Sequence, residues 1–254
     1  MASADTGVNV KIREWEQEHG SDMAAPESDE VHVWFRSLAA TPAEIARLTT
    51  LLSSEERARA ARFYSERLQS DFITGRGTLR LLLAGYEHLA PEKLAFEYSS
   101  FGKPSLIASD RFLSFNLSHS GEVVIYAFAV GRRIGVDVEK FRCDFDVGKI
   151  GKRFFSSAEQ SALEDLPAAQ RYEAFFRCWS RKEAFIKALG EGLSHPLHRF
   201  DVSLQPGNKN ALLQTRPDPK EATRWMLCDL ALNPEYAAAL ALELCAAPAA
   251  VQQS

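Results

Sequence analysis

Apolar and polar residues alternate along Val31-His32-Val33-Trp34-Phe35, the period of a strand with one buried face. The period then lengthens. Thr41-Pro42-Ala43-Glu44 reads as an N-cap, a proline at the first helical position and an acid in the first turn, and predicts a helix to about Leu52. Ser53 and Glu56 make a capping box for a second helix through Ala58, Ala61 and Phe63, and a third spans Phe72 to Leu89, ending before Pro91. Strand character returns at Phe96-Glu97-Tyr98, and Phe112–Leu117, Val123–Val130 and Ile134–Glu139 predict successive strands, with Gly131-Arg132-Arg133 as a hairpin loop between the last two. The order then repeats. Helices are predicted near 146–152, 156–165 and 168–190, and strands near Phe200–Leu204, Arg224–Leu230 and Tyr236–Leu244; the proline-rich stretch 205–222 is a loop or loose strand pair. Helices followed by strands, twice, predict an α+β chain of two lobes of similar size, 31–133 and 134–246. Residues 1–30 are acid-rich, with only Lys11 and Arg13 as strong bases, and bury too little apolar area to offset ordering entropy. They are expected as a poorly ordered tail, although Val10, Ile12 and Trp15 could dock a short piece of it.

Composition narrows the function classes. Hydrophobic residues at 46% and charged residues at 25% are ordinary values for a folded globular chain of 254 residues. A net charge of -4 and a pI near 5.9 argue against nucleic acid or anionic lipid as partner, since both demand a basic field. Cys143, Cys178, Cys228 and Cys245 are scattered without a CxxC pair, which suits reduced thiols. The N-terminus has acids where a secretory signal would have bases, and no stretch has the length of a membrane span. The expected location is cytoplasmic.

Chemistry concentrates in three places. In Gly135-Val136-Asp137-Val138-Glu139 the two acids are spaced by one residue, so on a strand they share a face while the valines point away. Converging carboxylates repel, and are tolerated when solvated or when a hard cation such as Mg²⁺ neutralises them. A solvated acidic edge strand accounts for the same pattern. On the helix Trp179-Ser180-Arg181-Lys182-Glu183-Ala184-Phe185-Ile186-Lys187, Glu183 and Lys187 are spaced for an intrahelical ion pair; the functional alternative is a third metal carboxylate and a phosphate-binding ammonium. Phe115-Asn116-Leu117-Ser118-His119-Ser120-Gly121 is polar directly before an apolar strand, and turn chemistry explains its small residues better than it explains His119. Ser118 and His119 face opposite sides of a strand, which excludes a serine-hydrolase pairing of the two. Lys103 sits on a Gly-Lys-Pro turn, and Arg57, Arg59, Arg62, Arg76 and Arg80 load two helices with positive charge that is either solvated, paired with acids, or a phosphate patch.

Taken in order, FGKPSL, FNLSHSG, IGVDVE, FFSSAE and CWSRKEAFIKALGEGL resemble the surfactin-synthetase-activating (Sfp-type) class of 4'-phosphopantetheinyl transferases across residues 55–205. The resemblance implies a pseudo-dimeric α+β fold in a monomer, each lobe having helices on a mainly antiparallel sheet, with the cofactor in the cleft between them. It implies transfer of the phosphopantetheine arm of coenzyme A to a serine of an apo acyl or peptidyl carrier protein. Asp137, Glu139 and Glu183 match the family's Mg²⁺ ligands, with Glu183 as the base, and Lys187 matches its phosphate-contacting lysine. Asn116, Ser118 and His119 match a segment on the phosphate side, Lys103 a lysine near the adenosine, and Arg59, with Arg76 as a second candidate, a basic position for the 3'-phosphate. Two other classes share these features: a coenzyme A or nucleotide binding module without transfer, and a metal-dependent phosphohydrolase.

Overall fold

A computed structural model describes residues 7–16, 23–107, 109, 112–142, 146–208 and 210–244. They divide into two compact units, 9–131 and 132–244, with Gly7 and Val8 counted in the second. Cys143 and Cys245 lie outside the described residues, while Cys178 is buried and Cys228 half-buried, neither in a disulfide.

The first unit opens with β1 (Asn9–Glu14), which pairs in parallel with β2 (Glu30–Ser37). This corrects the expectation of a poorly ordered tail for residues 9–14. A polar segment needs only a ladder for its amides and one apolar anchor. β2 supplies the ladder, and Trp15 supplies the anchor by packing edge-on against Trp34, ring centroids 5.8 Å apart. Lys11 adds an ion pair to Glu30. α1 (Pro42–Leu51) is capped by Thr41, and α2 (Ser54–Ala60) carries the expected capping box. α3 (Glu66–Glu87) starts well before Phe72 because Ser65 caps it by accepting from the Leu68 N–H. The antiparallel pair β3 (Phe96–Tyr98) and β4 (Pro104–Leu106) leads to β5 (Leu113–Ser120) and β6 (Val123–Val130), completing a sheet of order β1-β2-β6-β5. Leu79, Leu82, Leu83 and Tyr86 of α3 pack with Trp34, Phe115, Tyr126 and Phe128, and the Tyr126 hydroxyl donates to the Gly75 carbonyl at 2.8 Å.

The second unit runs β7 (Ile134–Lys140), α4 (Val147–Phe154), α5 (Ser157–Glu164), α6 (Ala168–Leu189), the pair β8 (Phe200–Val202) and β9 (Leu212–Thr215), then β10 (Trp225–Asp229) and β11 (Tyr236–Glu243). Its sheet has the order β10-β11-β7. The threading matches the first unit: the strand before the helices, β2 or β7, pairs with the last strand, β6 or β11, which pairs with the one before it. Phe175, Phe185 and Ile186 of α6 pack with Phe200, Trp225, Leu227, Ala239 and Ala241.

Gly131-Arg132-Arg133 is not a hairpin loop. β6 is already flanked by β2 and β5 and so has no ladder left for β7, which pairs instead with β11. Sequence neighbours are thus split between two sheets. Among the described residues no helix is long and apolar enough to cross a membrane.

Candidate functional site

Gly135, Asp137 and Glu139 fall on one face of β7, opposite Ala241, Ala239 and Ala237 of β11. That face meets α6. A Cβ on Gly135 would stand 2.1 Å from the Ala184 carbonyl oxygen and 2.3 Å from the Ala188 nitrogen, so no side chain fits there. The helix therefore rests on the strand backbone to backbone, through Ala184 and Ala188. Glu183 and Lys187, each the residue before one of those alanines, are carried to the two acids that follow Gly135 on the same face.

The Lys187 Nζ lies 2.7 Å from Asp137 Oδ1. Asp137 is only 3% exposed, which rules out a solvated acidic edge for this position. Glu139, Glu183 and Lys187 are half-buried. Burial, followed by the charges of Asp137 and Glu139, pushes Glu183 up to about 7 against the pull of Lys187. Asp137 and Glu139 thus both act on Glu183, and Lys187 bridges from α6 to Asp137. Among the described residues no three His, Cys, Asp or Glu side chains gather closely enough to enclose a metal ion.

Arg181 and Lys182 were not singled out by the sequence, yet both are fully buried. Arg181 grips Asp229 with two bonds of 2.8 Å and donates to the Ser203 and Gln205 carbonyls. Lys182 pairs with Glu159 at 2.8 Å and donates to the Leu197 and Phe200 carbonyls at 2.7 Å. Together they pin α6 to α5 and to the chain around β8 and β10, and so hold in place the face that carries Glu183 and Lys187. The signal was helical spacing: Arg181 and Lys182 each lie three or four residues from Cys178 and Phe185, so they share an apolar face on which a buried cation demands anions or carbonyls nearby.

The remaining candidates belong to the first unit. Asn116 and Ser118 are buried, while His119 is exposed on the opposite face of β5. Lys103 is half-buried at the turn whose Gly102 has φ 81° and whose backbone bonds to Ser99. The guanidinium of Arg59 lies 5.2 Å over the Phe72 ring, on the wall of a cavity of about 440 Å³ that Arg62, Arg80, Phe96 and Tyr98 also line. Arg76 is buried, bonded to Glu56 Oε1 at 2.6 Å and to the Tyr98 hydroxyl, with its guanidinium over Phe96.

Residues 133–241 match the profile of the 4'-phosphopantetheinyl transferase superfamily, and residues 37–130 match one described as 4'-phosphopantetheinyl transferase, N-terminal. The 4'-phosphopantetheinyl transferase HetI of Nostoc sp. is 40% identical over 219 residues, 85% of this chain and 88% of that protein. The 4'-phosphopantetheinyl transferase Sfp of Bacillus subtilis is 35% identical over 161 residues, 63% and 70% of the two chains, and psf-1 of Bacillus pumilus is 34% identical over 169 residues, 66% and 71%. Two profiles in tandem, and a relative of this identity across most of both sequences, show that the chain belongs to the 4'-phosphopantetheinyl transferase superfamily.

Proposed function

We propose that the chain transfers the 4'-phosphopantetheine group of coenzyme A to a serine of an apo acyl or peptidyl carrier protein, as an Sfp-type member acting as a monomer. Adenosine 3',5'-bisphosphate is the other product. The observation that carries the reading is the backbone seat of α6 on Gly135, which sets Glu183 and Lys187 beside Asp137 and Glu139. The shared threading of the two units supports a pseudo-dimeric fold within one chain.

Mg²⁺ fits this donor set. The oxygens are hard, Asp137 is buried, and the charges of Asp137 and Glu139 both press on Glu183. An ion of this kind takes one or two carboxylates and fills its remaining positions with water and substrate phosphates, so an open cluster suits it better than a closed cage. Asp137, Glu139 and Glu183 are assigned to hold it. When bound, it would neutralise charge that develops on the phosphate oxygens.

Glu183 accepts the proton of the attacking serine hydroxyl. Lys187, held by Asp137, steadies the charge on the departing phosphate as a point charge. Lys103, Arg59, Asn116, Ser118 and His119 are assigned to coenzyme A binding, the first two toward the adenosine. Incubation with Mg²⁺, coenzyme A and an apo carrier should add the mass of one phosphopantetheine group to the carrier. Glu183→Ala should slow this loading by about 100-fold or more with the melting temperature nearly unchanged. Loading at the parent rate would contradict the assignment.

A further inference from the structure

We propose that Asp71, on α3, is a positioning residue that holds the imidazole of His119 in place for the phosphates of coenzyme A. The proposal rests on the reading of His119 as a phosphate contact given above.

The register of the β5–β6 hairpin supplies the geometry. His119 is opposite Val124, Leu117 opposite Tyr126 and Phe115 opposite Phe128. Directly opposed residues of an antiparallel pair point to the same face, and alternate residues along a strand share that face. Tyr126 reaches the Gly75 carbonyl of α3, so this is the face covered by α3, and His119 lies on it toward the hairpin turn. Asp71 sits one helical turn before Gly75, in the direction of that turn. Arg67 lies across the corner, with its Nε 3.8 Å from Asp71 and its guanidinium 3.7 Å from Glu122 on the turn. The charged groups here are therefore Asp71 and Arg67 from α3 and Glu122 from the turn. Burial raises the Asp71 pKa, Arg67 and His119 pull it back, and Glu122 pushes it up, so the carboxyl and the imidazole are electrostatic neighbours.

A carboxylate beside an imidazole fixes which ring nitrogen carries a proton and favours the charged form. The other N–H is then presented to an anion as a charge-assisted donor. Ser118 and Asn116, on the opposite face of β5, have no access to this device. The corner gives His119 an orientation that an exposed histidine at the end of a strand would not have by itself.

The test compares Asp71→Asn, His119→Ala and the double variant, with kinetics of loading at varied coenzyme A and the imidazole titration of His119 followed by NMR. His119→Ala should raise KM for coenzyme A about tenfold with kcat within about twofold. Asp71→Asn should raise the same KM about threefold and move the His119 titration to lower pH, and the double variant should be no worse than His119→Ala. If Asp71→Asn leaves both KM and the titration unchanged, the inference is overturned, even where the melting temperature falls, because the pair then only braces the hairpin. If His119→Ala leaves KM unchanged, it is the phosphate reading of His119 that fails instead.

Discussion

The two units use one device built from different residues. In the first, Glu56 caps α2 and also accepts from Arg76 and Arg80 of α3 at 2.6 and 2.7 Å, while Arg80 donates to the Pro91 and Leu94 carbonyls. In the second, Glu159 caps α5 and binds Lys182 of α6, which donates to the Leu197 and Phe200 carbonyls. Each clamp ties a short capped helix, a long helix and the chain beyond it into one core. The outcome differs electrostatically. Burial pushes both acids up, but Arg80, the Ser53 amide and Arg76 outweigh it at Glu56 and hold that carboxyl below its usual range, whereas at the more deeply buried Glu159 the single lysine and two backbone amides do not and its pKa is raised. The scaffold requires a buried cation on carbonyls at this place, and leaves its identity free.

Removing the acid should break either clamp, at a cost of about 3–5 kcal/mol each by chemical denaturation, because a buried cation loses its partner. The Glu56→Ala loss should be the larger, since it strands two buried guanidiniums where Glu159→Ala strands one ammonium. Next in size, Gly135→Ala should cost about 3 kcal/mol and slow transfer about 100-fold, because the obstructing atoms are helix backbone that cannot step aside. Gly77→Ala in the first unit, whose added Cβ would stand 2.8 Å from the Leu48 Cβ, should cost about 2 kcal/mol, because that atom moves only with the backbone of α1, which must back away to make room. The smallest effect concerns acid. Burial lowers the pKa of His32 below 6.5 although Glu30 opposes it. The unfolded chain then binds a proton that the folded one refuses. His32 therefore contributes stability above about pH 6.5 that is lost as pH falls below it. Glu56, with its depressed pKa, adds a further loss below about 4.5. His32→Gln should flatten the first part of that profile in thermal melts.

Local signals were the legible ones. The capping boxes at Ser53 and Ser156, the proline start of α1 and the strand alternation at Asp137 and Glu139 all lie within a few residues of their partners, and the observed elements follow them closely. What escaped depended on distant partners. β1 is polar and gains order only from β2, and β7 finds its ladder on β11; for Arg76 the pattern left solvent, an acid or a phosphate open, and Glu56 and Tyr98 are brought to it by the fold. The site was half legible in the same sense. Spacing put two acids on one strand face and Glu183 with Lys187 on one helix face, but only Gly135 reveals why those faces meet, and its message lies in the absence of a side chain.

Peptide groups have the same dimensions in every protein, so a helix seated on a strand by main chain alone is gauged by a ruler that mutation cannot recalibrate. Repacking of Phe185 or Ile186 elsewhere on α6 should leave the spacing of the acid cluster untouched. A designer could transplant that spacing by copying a footprint of one glycine and two alanines, and then dress the surroundings freely.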